Sequence, residues 1–171
     1  MLKGDRLILR EWREHDLEAL AILRNDIELQ ALLMTQAKPN SAERVRNWLT
    51  DRSSRDNTVF FIAAAREDDT ALGYLQVINI DSFHGVGELG VCFSKASQGS
   101  GFAQEACELL DSYLRQTLAL RKLTLKVLAD NARAIAFYRK RGYREVGTMD
   151  QHFRVNDRYQ NVLIMERFLG A

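Results

Sequence analysis

The sequence predicts an α/β or α+β fold, in which helices pack on the faces of one central sheet. Two apolar periods support this: alternation typical of strands, and a three-to-four-residue spacing typical of amphipathic helices. The predicted order is strand, two helices, three strands, helix, strand, helix and two strands. With a length of 171 residues, the chain has the size of one compact domain, so residues 1–171 are expected to form a single unit.

The N-terminal part is predicted to contain one strand and two helices. A strand over residues 6–12 precedes a helix that Asp16 is positioned to cap. Asn40, followed three residues later by Glu43, resembles a capping box and predicts the start of the second helix.

The rest of the chain alternates between strands and helices. Strands are predicted at residues 59–65, 72–80, 86–93 and 123–127, and two more begin at Tyr143 and near Gln160. Helices are predicted at residues 101–118 and 131–141, the second of them capped by Asn131 and ended by Gly142.

Charge and composition exclude several kinds of partner. The chain has 24 Lys and Arg against 23 Asp and Glu, so its net charge of +1 gives no general attraction for nucleic acid or an anionic membrane. The N-terminal segment is charged, and no later segment approaches the length of a membrane span. A cytoplasmic protein without a nucleic-acid or membrane partner is therefore expected.

Cysteine and histidine give no metal or disulfide signal. Cys92 and Cys107 are too few for a disulfide framework and are predicted to be small buried hydrophobic residues. His15, His84 and His152 are scattered without metal-ligand spacing, so no metal site is expected.

Two glycine clusters could each cradle a phosphate. Gly85-x-Gly-x-x-Gly90 matches a dinucleotide fingerprint, which requires a helix that begins within the glycines. Leu89, Val91 and Phe93 instead continue a strand pattern through and beyond the last glycine. The first cluster is therefore predicted to lie in a strand, which disfavours a dinucleotide-binding module.

The second cluster, residues 98–103, follows that strand and begins an amphipathic helix. Unpaired N–H groups and the positive end of the helix dipole make such a loop an anion site, and glycine allows a phosphate to approach closely. No Gly-Lys-Ser/Thr is present, which disfavours a nucleoside triphosphatase. Taken alone, the loop is better explained as an ordinary glycine-rich turn into a helix.

Several segments together resemble the GNAT superfamily of acetyl-CoA-dependent N-acetyltransferases. They are Gln98-x-x-Gly-x-Ala103, the strand over residues 87–93, Asn131-x-x-Ala-Ile-Ala-Phe-Tyr138, and residues 141–147. Residues 4–10 and 153–165 are similar to the branch with ribosomal-protein, spermidine and nucleotide-amino-sugar acetyltransferases. The resemblance implies a mixed, mostly antiparallel sheet that is split at its middle, with helices on both faces.

The resemblance also implies where acetyl-CoA binds as co-substrate. The pantetheine arm is expected in the split, against the backbone of Val91 and Phe93. Asn131 and Tyr138 are expected at the acyl end. The pyrophosphate is expected on the loop headed by Gln98, on the N–H groups of Gly99, Ser100, Gly101, Phe102 and Ala103.

The implied chemistry is direct attack of a primary amine on the thioester within a ternary complex. Tyr138 matches the family tyrosine that donates a proton to the leaving thiolate. Glu88 alternates onto the strand face opposite Leu89 and is a candidate base, although a surface or paired structural glutamate fits the pattern equally well. His84, in the preceding turn, is a weaker candidate.

The acceptor is narrowed to an amine and not further. Arg24, Asn25 and Asp26 resemble the corresponding segment of amino-sugar acetyltransferases, whereas Asp26 and Glu28 would equally suit a cationic polyamine or a peptide N-terminus. Arg24, Asn25, Glu28 and Glu88 are thus the candidate acceptor-binding residues. An amino-sugar nucleotide, a polyamine and a protein N-terminus all remain open.

Two further hypotheses concern function and assembly. The alternative to an enzyme is a non-catalytic domain that binds acyl-CoA as a sensor or interaction module. The oligomeric state is left open by the sequence, although the apolar final strand around residues 162–165 could pair with the sheet of a second copy to form a homodimer.

Overall fold

A computed structural model describes residues 1–170, in which eight strands form one sheet and five α-helices cover it. The strands are β1 (Leu2–Lys3), β2 (Leu7–Arg10), β3 (Val59–Ala65), β4 (Ala71–Asp81), β5 (Val86–Phe93), β6 (Lys122–Leu128), β7 (Arg144–Val155) and β8 (Arg158–Phe168). The helices are α1 (Leu17–Asn25), α2 (Ile27–Leu32), α3 (Ala42–Ser54), α4 (Phe102–Leu118) and α5 (Ala132–Lys140). No helix among the described residues is both long and apolar enough to span a membrane.

The sheet has the order β1-β2-β3-β4-β5-β6-β8-β7, and it is split at its middle. All neighbouring strands are antiparallel except β5 and β6, which are parallel. These two strands pair only from Val86–Glu88 to Lys122–Thr124, although β5 continues to Phe93 and β6 to Leu128. The predicted mixed, mostly antiparallel sheet with a central split is confirmed.

Helices cover both faces of the sheet because the strands alternate their apolar residues. On β3, Ile62 packs into a cluster with Leu20 of α1 and Leu49 of α3, while Ala63 packs into the cluster that contains Leu110 of α4. These residues are almost fully buried. Burying each leucine side chain contributes roughly 1.5–3 kcal/mol, so the two clusters hold the helices on opposite faces.

Most predicted elements are present, and several bounds agree. The strands at 59–65 and 86–93 are observed with the predicted limits, and α4 begins one residue after the predicted start. Gly87 and Gly90 lie inside β5, as the alternation indicated, so the dinucleotide fingerprint is a chance match. Cys92 and Cys107 are buried as predicted, and burial raises the pKa of each thiol to about 12.

The N-terminal helices depart from the prediction in number and in their caps. A separate helix, α2, begins because the Asp26 carboxylate accepts a hydrogen bond from the Leu29 N–H at 3.0 Å and breaks the chain after α1. Ser41, and not Asn40, caps α3, accepting from the Arg44 N–H at 3.2 Å. Asp16 precedes α1 without capping it, because its carboxylate is bound elsewhere.

The final strand is not an edge strand. β8 pairs with β6 on one side and β7 on the other, and its Val162 and Met165 are fully buried. The prediction that residues 162–165 pair with a second copy is therefore wrong, because their backbone groups are already bonded within the sheet. Formation of a homodimer by another surface stays a prediction.

A buried ion cluster around Arg10 joins the first long strand to two turns. The Arg10 guanidinium donates to both oxygens of Asp16, at 2.7 and 2.9 Å, and its Nε donates to Asp69 at 2.6 Å. The side chains of Arg10 and Asp16 have no exposed surface. Because a buried charge without a partner is costly, these hydrogen bonds fix the turn before α1 and the β3–β4 turn against β2.

We expect Asp16→Asn to destabilise the fold by about 3–5 kcal/mol, because it leaves the buried Arg10 charge short of a partner. Denaturant unfolding followed by circular dichroism would measure the loss. Glu14→Gln, in the same turn but in an exposed ion pair with Arg46, is the matched control and should hardly move the midpoint. Equal effects of the two variants would show that the Arg10 cluster has no special role.

Candidate active site

A cavity of about 800 Å³ lies where β5 and β6 diverge. One wall is formed by residues 88–93 of β5 and the opposite wall by β6 and α5. The wall from α5 includes Asn131, Ala134, Phe137 and Tyr138, and one end is formed by the loop before α4, with Gln98, Gly99 and Gly101. The split and the second glycine cluster therefore belong to one site.

The β5 wall presents to the cavity backbone groups that pair with no strand. The Ser94 N–H donates to the carbonyl of Leu72, in β4, at 2.9 Å. From this pair, β4 and β5 are paired without interruption as far as Gly90. Because hydrogen-bonded pairs alternate along an antiparallel ladder, the N–H and C=O groups of Val91 and Phe93 point away from β4 and toward the split. The Phe93 carbonyl already accepts from the Gln98 side chain at 3.1 Å.

Helix α4 begins without a capping side chain. Gly101 precedes it in the left-handed region, with φ of +85°, and Gly99 has φ of +81° with no atom within 4 Å of the position of a Cβ. The first N–H that bonds to the helix is that of Glu105, which donates to the Gly101 carbonyl at 3.2 Å. The preceding N–H groups of Phe102, Ala103 and Gln104 are therefore placed for an anion.

Two arginines brace this loop from outside it. Arg6 donates to the Ser100 carbonyl at 2.8 Å, and its side chain also pairs with Glu105 of α4. Arg133, at the start of α5, donates to the Gln98 side chain at 2.6 Å. Neither arginine was predicted, because both contacts join segments distant in sequence. They place two positive charges beside the predicted pyrophosphate loop.

Tyr138 lies on α5 with its ring held among aromatic neighbours. The ring packs edge-on against Phe137 at 5.4 Å and Tyr143 at 5.6 Å between centroids. Burial raises the pKa of the Tyr138 phenol above its ordinary value of 10, so the phenol is protonated at neutral pH. Asn131 caps α5, accepting from the Ala134 N–H at 3.2 Å, and thereby fixes the helix that carries the tyrosine.

Glu88 lines the cavity and forms an ion pair. Both of its carboxylate oxygens lie 3.2 Å from the Lys126 ammonium across the split. The two side chains keep 25% and 43% of their surface exposed. Glu88 therefore lines the cavity and is also paired with a lysine. The two alternative predictions for this residue, a candidate base and a paired glutamate, both describe its position. Lys126 was not predicted as a site residue, although a lysine between Leu125 and Val127 on an apolar strand indicates a special position.

Three of the four residues predicted to bind the acceptor, Arg24, Asn25 and Glu28, do not line the cavity. Arg24 covers the Trp48 ring at 4.3 Å, Asn25 exchanges hydrogen bonds with Asn40, and Glu28 is exposed and paired with Lys95. Their polar groups instead serve contacts among the N-terminal helices and with Lys95. Their role in acceptor binding stays a prediction that this geometry does not support.

Other residues form the rest of the lining, which is called the acceptor end because the acceptor is expected there. His84 lies in the β4–β5 turn and does not line the cavity, whereas His152 and Phe153 of β7 do. The remaining wall comes from the C-terminal part of α2 and the turn after it. These lining residues are Leu29, Leu32, Leu33, Met34 and Thr35. Sequence patterns gave no signal for them, because their position depends on how α2 and β7 pack over the sheet.

Fold and site together describe a cavity between two diverging strands whose shape and lining fit an extended, phosphate-bearing ligand. The family model described as "Acetyltransferase (GNAT) domain" matches residues 6–144. The chain therefore belongs to the GNAT acetyltransferase family. The predicted enzyme class, an acetyl-CoA-dependent N-acetyltransferase with acetyl-CoA as co-substrate, is confirmed.

Three relatives with named activities are 23–33% identical to this chain over the aligned residues. A spermidine N(1)-acetyltransferase of Vibrio cholerae is 25% identical over 159 residues, which cover 93% of this chain and 91% of that protein. The Escherichia coli spermidine N(1)-acetyltransferase is 33% identical over 98 residues, 57% of this chain and 53% of that protein. A ribosomal-protein-serine acetyltransferase of E. coli is 23% identical over 105 residues, 61% of this chain and 59% of that protein.

A solved structure supports the fold. The crystal structure of spermidine N-acetyltransferase from V. cholerae in complex with CoA and spermine superposes with a TM-score of 0.88, at 23% identity and over 97% of both chains.

We expect Gly101→Ala to weaken CoA binding about tenfold, because a side chain in the left-handed region costs roughly 1–2 kcal/mol and relaxation would move the loop N–H groups. The added Cβ would also meet the Arg6 guanidinium at 3.0 Å. Titration calorimetry with CoA would measure the dissociation constant.

Gly85→Ala is the matched control for backbone strain. Gly85 also has a positive φ, of +65°, but it lies in the β4–β5 turn outside the cavity. Its substitution should lower stability and leave CoA affinity unchanged. Equal loss of affinity in both variants would argue against a phosphate site at the start of α4.

Proposed function

We propose that the protein transfers the acetyl group of acetyl-CoA to a primary amine by direct attack within a ternary complex. The observation that carries the proposal is that one cavity contains the free edge of β5, the uncapped start of α4, Tyr138 and Glu88. These four features supply a place for an extended arm, an anion site, a proton donor and a proton acceptor. Direct transfer requires all of them around one reacting centre.

The residues present fit acetyl-CoA. The pyrophosphate would be held at the N–H groups from Gly99 to Gln104, with Arg133 and Arg6 adding positive charge. The pantetheine arm would bond to the free backbone edge at Val91 and Phe93, as an added strand would. Bound acetyl-CoA supplies the thioester whose acyl carbon receives the amine.

The side chains around the split then move the protons. The acceptor arrives as an ammonium, and Glu88 attracts it and takes a proton, directly or through water, so that the nitrogen can attack. As the C–N bond forms and the C–S bond breaks, the Tyr138 phenol donates its proton to the leaving thiolate, and the second proton of the attacking nitrogen restores the phenol directly or through water. The raised pKa of Tyr138 keeps that proton available over the physiological pH range.

Similarity to named enzymes supports particular acceptors. The spermidine acetyltransferases among the relatives support a polyamine, and the ribosomal-protein-serine acetyltransferase supports a protein N-terminus. The resemblance in residues 24–25 supports an amino-sugar nucleotide. A thiol-release assay with one amine of each class, at saturating acetyl-CoA, would rank the three.

A non-catalytic acyl-CoA sensor is the alternative. It would bind CoA through the same loop and strand edge but would not need a phenol or a carboxylate in the cavity. Stabilisation by acetyl-CoA of about 2.7 kcal/mol at a hundred times its dissociation constant is expected of both functions. Release of CoA thiol that depends on an added amine is expected of the enzyme alone.

We expect Tyr138→Phe to lower kcat by about 100-fold, because the thiolate loses its proton donor, while the dissociation constant of acetyl-CoA stays the same. Steady-state thiol release and calorimetry would separate the two quantities. Tyr143→Phe removes the hydroxyl of the neighbouring ring, which lies outside the cavity lining, and should retain kcat. Unchanged turnover in Tyr138→Phe would remove the phenol from the mechanism.

We expect Glu88→Gln to lower kcat/KM for the amine by about 100-fold, because the ammonium loses both its counter-ion and its base. Affinity for acetyl-CoA should not change, since Glu88 lies away from the phosphate loop. Glu67→Gln, in an exposed turn, controls for the loss of one negative charge. A kcat/KM equal to that of the control variant would make Glu88 a structural partner of Lys126.

A further inference from the structure

We propose that the acceptor carries a single positive charge, on the amine that is acetylated, and that Lys126 enforces this selectivity by repelling polycations. This inference rests on the proposed function and narrows its acceptor class. The proposal is based on the charged residues that line each end of the cavity.

The phosphate end of the cavity contains most of its positive charge. Arg133 is bonded to Gln98 at 2.6 Å, beside the glycine loop. Lys140 ends α5, and this end of the helix lies beside the first turn of α4, since Arg141 contacts the Gln104 carbonyl at 3.4 Å. We therefore assign both cations to the phosphates of CoA and not to the acceptor.

The acceptor end has almost no negative charge. Its walls are formed mainly by apolar side chains, among them Leu29, Leu33, Met34, Ile78 and Phe153. Among the described residues that line the cavity, Glu88 is the one carboxylate. Asp26 and Glu28 lie outside the lining, and both are already paired with Lys95, at 3.1 and 2.8 Å.

Lys126 neutralises that one carboxylate. Its ammonium lies 3.2 Å from both oxygens of Glu88, in the position that the ammonium of an acceptor must take to reach the base. An acceptor with one charge that takes this position pairs with Glu88 and leaves Lys126 as the one cation there without a carboxylate. A second ammonium on the acceptor would meet the displaced Lys126 without a carboxylate to offset either charge, which is a like-charge contact that disfavours binding.

A matched pair of amines tests the charge. Butane-1,4-diamine and 4-aminobutan-1-ol have the same chain length, and at neutral pH the diamine carries one more positive charge. We expect kcat/KM in the thiol-release assay to favour the amino alcohol by about tenfold, the change that about 1.4 kcal/mol produces. A higher kcat/KM for the diamine, or for spermidine, would overturn the proposal while leaving the acetyltransferase function intact.

Two variants test the role of Lys126. Lys126→Met removes the charge at similar length and should raise kcat/KM of the diamine relative to the amino alcohol by about tenfold. Lys126→Arg keeps the charge and should retain the original ratio. An unchanged ratio in Lys126→Met would show that another group sets the selectivity.

A binding measurement separates this proposal from the proposed function. Titration of the CoA-saturated protein with the same two amines gives their affinity ratio without turnover. Preference for the amino alcohol, lost in Lys126→Met, would support the charge selectivity even if neither small amine released thiol. Absence of thiol release with these amines and with one amine of each acceptor class would contradict the transfer reaction alone.

Discussion

The brief parallel pairing of β5 with β6 is the constraint on which the site depends. Three residue pairs join these strands, after which each stays bonded to its outer neighbour, β4 or β8, as far as its own end. The inner edges are thereby held apart rigidly, with backbone groups that no other strand satisfies. Because unpaired backbone groups bind strongly to any available partner, the split favours an extended ligand with amide groups of its own.

The anion end depends on a contact between the beginning of the chain and its middle. Glu105 of α4 accepts the Arg6 N–H at 2.8 Å, and the Arg6 side chain reaches the Ser100 carbonyl. The loop is therefore fixed against β2, while a glycine at the start of α4 leaves the first N–H groups unpaired. By contrast, α3 and α5 are each capped by a side chain, Ser41 or Asn131. A helix start without a cap, in a loop that Arg6 holds, leaves N–H groups placed for the proposed pyrophosphate.

Local patterns predicted the elements whose periodicity is strong, and tertiary packing decided the rest. Alternation located β3 and β5, and the loop sequence located the glycine site. A helix as short as α2 has too few residues to show the apolar period of a helix. The cap by Asp26 is therefore the one sequence feature that separates α2 from α1. An apolar strand such as β8 has the same pattern at an edge or inside a sheet, which is why its position was mispredicted. Lys126 became a site residue through strand order alone.

The Arg10–Asp16 and Glu88–Lys126 ion pairs differ in burial, and this difference determines what each pair contributes. Arg10 and Asp16 have no exposed surface, so separating them would leave a charge in the protein interior, and the pair fixes the fold. Glu88 and Lys126 remain partly exposed, where such a pair contributes only about 0–1 kcal/mol. Water or an incoming ammonium can replace Lys126 at little cost. In the proposed mechanism, this weak pair holds the carboxylate in place until the ammonium of the acceptor replaces Lys126.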